Sequence, residues 1–315
     1  MFNIESNCRW CGSGALTNRA YSAKARWIVE NPKNSDISNL LECEECGLLY
    51  FDGCYSVFEL ERMYGGYRGM SYFKQRNRYE PWYTKRINTA IGHSVEVLRL
   101  RRGHLENLLS SLNSNDERSK SITRVLDVGG DEGQFIPELD SITDRAVLEI
   151  SGVNISSDIQ LFESWSEAKG FDPDLVMICH VLEHLENPRE YLVEIANICR
   201  SGSYLYVEVP LDRPEKISSK FSKQTYKGYL TFLCRHPNIF IFADLVSLVS
   251  RRFLGRPIIG SVIKKSEHIN YFSAESVKQV ITATGFVEEA RSVYVASSGV
   301  PVLDVSALGM LFRRN

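Results

Sequence analysis

At 315 residues, 43% hydrophobic and 24% charged, the chain can build one large core or two modest ones, which excludes a disordered protein. Lys and Arg number 37 against 39 Asp and Glu, a formal net charge of −2 that gives no global reason to expect nucleic acid as a partner. The opening MFNIESNCRW has no basic start followed by an apolar run, so a reducing cytoplasm is the default and the eight cysteines need a reason other than disulfides.

Four of those cysteines come first, as CRWCG and CEECG: Cys8 and Cys11, then Cys43 and Cys46. Two C-x-x-C-G turns flanking a strand-rich stretch suit tetrahedral zinc, because each turn aims two thiolates at one point. A redox C-x-x-C leaves the second pair unexplained. Four sulfur ligands leave no open position, so Zn2+ here is structural, and residues 1–55 are expected to be a small zinc-ribbon-like module.

Residues 56–120 read as a helical segment and linker. Apolar positions keep helical spacing from Pro81 to Leu112, and NSNDERSKS follows as the linker. Tyr64, Tyr67 and Tyr72 in this segment either cover a ligand or pack among themselves.

From residue 121 to the end the pattern is α/β. TRVLDVGG, RAVLEIS, DIQLFESW, PDLVMICH and GSYLYVEVP read as strands, with helices expected to open at DEGQFIPELD and over ENPREYLVEIANIC. This alternation predicts a parallel sheet covered on both faces. FVEEARSVYVASS and DVSALGMLFRR leave no room for a helix between them and predict an antiparallel hairpin at the sheet edge.

An insertion at about 211–266 interrupts this domain as a basic lid, with eleven Lys or Arg (213, 216, 220, 223, 227, 235, 251, 252, 256, 264, 265) against three acidic residues. That balance suits an anionic partner, whether a nucleotide sugar, a lipid-linked glycan or a membrane surface; a solvated lid with ordinary lysines is the plainer alternative. The run IFIFADLVSLV is too short to span a bilayer and contains Asp244, so no transmembrane segment is predicted. Residues 239–256 read as an amphipathic helix, either a cap on the sheet or a peripheral membrane contact at the inner face of the membrane.

In VLDVGGDEGQF a strand runs into Gly129, Gly130 and Gly133, where a bare backbone lets a ligand approach closely. Glu149, twenty residues after Gly129, ends the next strand, where a carboxylate can accept both hydroxyls of a ribose. A nucleoside-containing cofactor follows, and nicotinamide enzymes share this pattern with methyl-transferring ones. His180, Glu183 and His184 have the H-x-x-E-H spacing of one class of zinc peptidase. That reading wants a long helix, whereas here the motif follows directly on a strand.

Taken together, VLDVGGDEG, Glu149, FDPDLVMICHVLEHLENP, EVP and EHINYFSAESVKQVITATGF resemble the class I S-adenosylmethionine-dependent methyltransferases over about 122–210 and 267–315. The four-cysteine front resembles the zinc-binding segment that precedes methyltransferases of sugar and surface-polysaccharide pathways. The resemblance implies a Rossmann-like seven-stranded sheet with the C-terminal hairpin. It implies that Asp127, Gly129, Gly130 and Gly133 hold the methionine end of S-adenosylmethionine, Glu149 the ribose, and Glu163 and Ser164 the adenine.

Two features depart from the family pattern: Asp131 stands at a usual glycine, and SGVNISS leaves little room for a helix. The implied reaction is displacement of a methyl group from a sulfonium, in which a hydroxyl acceptor needs a base. His180, His184 and His268 are the candidates, with Glu183 and Glu267 as orienters; the alternative is that His184 and Glu183 only cap the turn. O-methylation of a sugar, on a nucleotide sugar or surface glycan such as O-antigen, is the expected activity. C- or N-methylation of a deoxy or amino sugar, or a non-catalytic zinc-containing binding protein, are the alternatives. The oligomeric state is not legible.

Overall fold

The computed structural model describes residues 6–29, 36–67, 69–90, 94–112, 122–149, 155–211, 214, 222–254, 258, 260–296 and 305–315. The expected linker at 113–121, residues 297–304, and Arg213, Lys216, Lys220 and Arg256 of the basic insertion lie outside them. In chain order the elements are β1 (Leu16–Lys24), β2 (Ile37–Cys43), β3 (Leu49–Phe51), α1 (Val57–Tyr64), α2 (Met70–Tyr79), α3 (Lys85–Ala90), α4 (Val95–Ser110), β4 (Arg124–Val128), β5 (Asp144–Leu148) and β6 (Gln160–Phe162). They continue with α5 (Trp165–Ala168), β7 (Leu175–Cys179), α6 (Pro188–Ile198), β8 (Tyr204–Pro210), α7 (Lys223–Arg235), α8 (Pro237–Leu254), β9 (Lys264–Lys265), β10 (Asn270–Tyr271), α9 (Ala274–Ala283), β11 (Phe286–Ala296) and β12 (Val305–Arg314).

These elements form two compact units, one of residues 1–8, 12–89 and 212–271, the other of 9–11, 90–211 and 272–315. The grouping differs from expected boundaries at 55 and 120 with the insertion counted in the last domain. Its physical reason is strand pairing: β9 runs parallel to β1 and β10 antiparallel to β3, which ties the insertion to the first unit.

The first unit is built on a five-stranded sheet in the order β10-β3-β2-β1-β9. Its face buries Leu40, Leu49, Phe51, Ile263 and Tyr271. Helix α1 starts at a capping box, Ser56 accepting from the Glu59 amide while Glu59 accepts from that of Ser56. Among the tyrosines expected to cover a ligand or pack, Tyr72 is buried edge-on against Trp27, Tyr67 and Tyr83, with Tyr64 tilted against Tyr67.

The second unit holds a seven-stranded sheet in the order β11-β12-β8-β7-β4-β5-β6. Strands β6, β5, β4, β7 and β8 are parallel, while β12 is antiparallel to both β8 and β11. The expected C-terminal hairpin is present. Every residue of β7 and β8 is buried, as in a sheet covered on both faces, and Glu208 is the one acidic residue among them. Leu105 and Leu108 of α4 pack on Val125, Leu175, Met177, Tyr204 and Tyr206 to form the core of one face.

One expected helix is absent. DEGQFIPELD runs as turns from Asp131 to Phe135 and then as irregular chain. Asp131 (φ 53°) and Gly133 (φ 75°) are left-handed, and Pro137 has no amide for a helical hydrogen bond and would clash with the carbonyl four residues back.

Candidate active site

Strand order reverses beside β4, with β5 on one side and β7 on the other, which leaves a crevice at the carboxyl ends of these strands where open α/β sheets bind ligands. Asp127 projects there from the penultimate position of β4. Its side chain is fully buried and neither carboxylate oxygen has a hydrogen-bond partner. Burial pushes its carboxyl up to about 7, the Arg101 charge opposing the shift and Glu208, Glu149 and Asp131 adding to it.

The turn that follows wraps closely around this carboxylate. A Cβ on Gly130 would stand 2.5 Å from the Asp127 carboxylate, and one on Gly129 (φ 68°) would stand 2.7 Å from the Val181 side chain. Glycine is therefore required at both positions by close approach. Asp131 takes the left-handed conformation that suits glycine, which an Asp tolerates better than most residues. The Asp131 amide donates to the Glu149 carboxylate at 3.3 Å, which brings the ends of β4 and β5 together.

Glu163 and Ser164 sit at the end of β6. The Glu163 amide donates to the Glu167 carboxylate at 2.8 Å, and Ser164 caps α5. Asp127, Gly129, Gly130, Gly133, Glu149, Glu163 and Ser164 thus all occupy the carboxyl ends of β4, β5 and β6 or the turns that follow.

Beyond β7, His180 has a left-handed backbone (φ 56°), unusual for a residue with a Cβ. Three contacts hold it there: its amide donates to the Glu208 carbonyl at 2.9 Å, and its ring is gripped by a carboxylate on each side. Nδ1 lies 3.0 Å from Glu183 Oε1 and Nε2 lies 3.1 Å from Glu208 Oε1. Glu183 and His184 belong to a single 3-10 turn, Leu182–His184.

Glu208 is buried in β8, ion-paired with Arg101 of α4, and accepts from the Tyr206 hydroxyl at 2.8 Å. Burial opposes its ionisation, but the Arg101 charge and the bonds from His180 and Tyr206 hold its carboxyl far below the usual range. His180 shows the complement. Burial and Arg101 favour the neutral ring, yet the bonds to Glu183 and Glu208 outweigh them and raise its pKa. Arg101 lies against Glu208, and His180 bridges Glu208 and Glu183, so the buried carboxylate of Glu208 is not left without a counter-charge.

His268 belongs to the first unit, just before β10, where its carbonyl accepts from the Tyr271 hydroxyl at 3.2 Å. Glu267, expected as an orienter, instead accepts from Tyr72 at 2.5 Å and from Arg76 at 3.1 Å in that unit. Sequence reasoning missed Arg101, Tyr206 and Glu208. An acidic residue inside the apolar strand YLYVEVP was the available signal for Glu208; nothing local marks Arg101 among the arginines of LRLRR.

At the front of the chain Cys8, Cys11, Cys43 and Cys46 bring one sulfur each to within 4.8 Å of all the others. The two turns repeat one geometry: Gly12 (φ 82°) donates to the Cys8 carbonyl at 2.8 Å and Gly47 (φ 72°) to that of Cys43 at 2.9 Å. The sulfurs of Cys8 and Cys46 are 3.7 Å apart, too far for a disulfide. That separation matches the edge of about 3.8 Å of a tetrahedron with Zn–S bonds of about 2.3 Å.

A doubly wound sheet with an antiparallel final hairpin, a glycine turn around an unpartnered buried carboxylate, and a second carboxylate at the neighbouring strand end define a nucleoside-cofactor enzyme of the Rossmann-like class. A profile described as the methyltransferase domain matches residues 96–289, and the chain belongs to that family. It is an S-adenosylmethionine-dependent methyltransferase. No curated protein matches the sequence.

Among solved structures, the chain is similar to the 1,6-didemethyltoxoflavin-N1-methyltransferase of Burkholderia thailandensis with bound 1,6-didemethyltoxoflavin and S-adenosylhomocysteine. That similarity has 12% identity and a TM-score of 0.46, covering 86% of this chain and 96% of that one. It is also similar to the N-methyltransferase NodS of Bradyrhizobium japonicum WM9 in complex with S-adenosyl-L-homocysteine, at 14% identity and TM-score 0.42, covering 77% of this chain and 97% of that one.

Proposed function

We propose that this methyltransferase O-methylates a sugar carried on an anionic acceptor, a nucleotide sugar or a phosphate-linked glycan. The residues at the strand ends fit the methyl donor. Asp127 offers a buried carboxylate with no hydrogen-bond partner to a cationic amino acid moiety, and Glu149, at the end of β5 where it accepts from the Asp131 amide, suits the hydroxyls of a ribose. Glu163 and Ser164 lie where adenine is expected. When bound, S-adenosylmethionine supplies a methyl group on a positively charged sulfur, a good leaving group that needs no metal.

The single observation that carries an acceptor with a weakly acidic hydroxyl is the His180 pair. Glu183 holds Nδ1 at 3.0 Å and fixes the ring, as an orienting carboxylate does for a general base. The acceptor hydroxyl would take the place of Glu208 at Nε2, the ring giving up its Nε2 proton to solvent as that contact is exchanged; the neutral imidazole would then receive the hydroxyl proton while the oxygen gains the methyl group that the sulfur releases. Glu208 stays ionised through Arg101. His184 follows in the same turn as a second polar group beside the acceptor.

An anionic carrier is supported by the excess of basic over acidic residues at 211–266, among which Lys264, paired with Glu80 and Asp244, and Lys265, buried against the Asp52 and Gly53 carbonyls, are already engaged. The sugar itself rests on the resemblance of the four-cysteine front to the modules of sugar methyltransferases. Cys8, Cys11, Cys43 and Cys46 hold one structural zinc in this reading, and the protein works in the cytoplasm. Incubation with methyl-labelled donor and a panel of nucleotide sugars, lipid-linked glycans and uncharged glycosides tests it. Alkali-stable label in a sugar ether of a phosphorylated acceptor is expected; label confined to uncharged acceptors or to amines contradicts it.

A further inference from the structure

The outer faces of α7 and α8 carry an apolar stripe unrelated to the methyl-transfer site. Their inner faces are occupied, since Leu230, Leu233, Phe240 and Ala243 pack with Ala23 and Val262 in the core of the first unit. On the outside, Phe232, Ile239, Phe242, Leu245, Val249 and Phe253 are exposed, Phe242 by 66% and Phe253 by 80%. Positions 239, 242, 249 and 253 fall on one side of α8 and run about 21 Å along it at about 1.5 Å per residue. A water-facing helix normally places polar side chains there, so a continuous stripe of large apolar ones marks a contact surface.

Charge selects the occupant. Between Ser222 and Leu254 the chain has Lys223, Lys227, Arg235, Arg251 and Arg252 against the single acid Asp244. Asp244 is buried, and its carboxylate is bonded to Lys264 at 2.7 Å. Neither helix therefore presents an acidic group to solvent, while Arg235 is exposed three residues from Phe232 on the same side of α7; Arg251 turns inward to donate to the Val262 carbonyl, and Lys223 donates to that of Asn18.

We infer that the α7–α8 face docks on an anionic lipid surface. The phenylalanines enter the boundary between headgroups and acyl chains, and the flanking Arg235 side chain reaches back to the phosphates. Among the described residues no helix is long and apolar enough to cross a membrane, so α8 lies along the surface. The inference is independent of the acceptor that the enzyme methylates, and it holds whether or not the methyl group goes to a sugar.

Co-sedimentation of the intact protein with vesicles tests it, using phosphatidylcholine alone and an equimolar mixture with phosphatidylglycerol. The mixed vesicles are expected to bind at least about ten-fold more tightly, and binding falls as salt rises. Phe242→Ser with Phe253→Ser lowers binding by about ten-fold or more, and separately Arg235→Glu lowers it by about three-fold or more. These substitutions change exposed side chains, and an unchanged melting temperature verifies the fold. Equal binding to both vesicles, no binding to either, or wild-type binding by the phenylalanine variant overturns the inference. So does a solution dimer that dissociates on the same phenylalanine substitutions, which assigns the stripe to a second copy of the chain.

Discussion

His180 and Glu208 are joined twice, main chain to main chain at 2.9 Å and ring Nε2 to carboxylate at 3.1 Å. The first bond fixes the left-handed backbone at His180, and the second places its ring at the end of β8. Replacing the ring while keeping the backbone separates the two. Asn tolerates the left-handed conformation, so His180→Asn keeps the turn and removes the proposed base. We expect kcat to fall by about 10²- to 10⁴-fold with cofactor affinity within about three-fold of wild type. Steady-state kinetics with labelled donor and calorimetry with S-adenosylhomocysteine check the two halves.

Glu208→Gln acts on stability. The amide leaves the Arg101 guanidinium and the His180 ring without their buried counter-charge, a loss of about 3–5 kcal/mol by the behaviour of broken buried pairs. Urea denaturation of the variant measures it. Adding Arg101→Met, which removes the stranded cation, recovers part of the loss.

Asp127 gives the protein a pH dependence whose sign follows from its raised pKa. Its ordinary value is 3.8 and its folded value is about 7, so the folded chain binds a proton that the unfolded chain releases across that window. The stabilisation from the neutral carboxyl is full below 3.8, declines as pH rises, and is gone above about 7. Without ligand, Asp127→Asn is therefore expected to exceed wild type in stability above about pH 7 by more than about 1 kcal/mol, and to match it near pH 4. Thermal melts across that range check the crossover.

Much of this architecture was legible in local sequence. The apolar runs of β4, β7 and β8 end at residues that change character, and the spacing of the last two strands excluded a helix between them. What escaped is of three kinds. Strands β9 and β10 have two residues each, too short to show alternation, yet their pairing reassigns the basic insertion to the first unit. Arg101 meets Glu208 across 107 positions, a pairing made by the packing of α4 on the sheet and invisible in either local stretch. The helix expected after Gly133 failed because one left-handed Asp and one Pro outweigh an otherwise helical composition.

The cysteine cluster makes a prediction independent of catalysis. Elemental analysis of the purified protein is expected to find one zinc per chain, displaced by chelator with loss of structure in the first unit. Cys43→Ser abolishes the stoichiometric metal and lowers the melting temperature, because metal affinity at such a site is also folding free energy. A metal-free protein with unchanged melting contradicts the assignment.

The most direct test of the site as a whole is calorimetric titration with S-adenosylhomocysteine. A one-to-one complex is expected, weakened about ten-fold or more by Asp127→Asn and likewise by Glu149→Gln, since in the proposed function each carboxylate makes a charge-assisted contact with the methyl donor. No detectable binding at high micromolar ligand, or wild-type affinity in both variants, would contradict the placement of the methyl donor between β4 and β5.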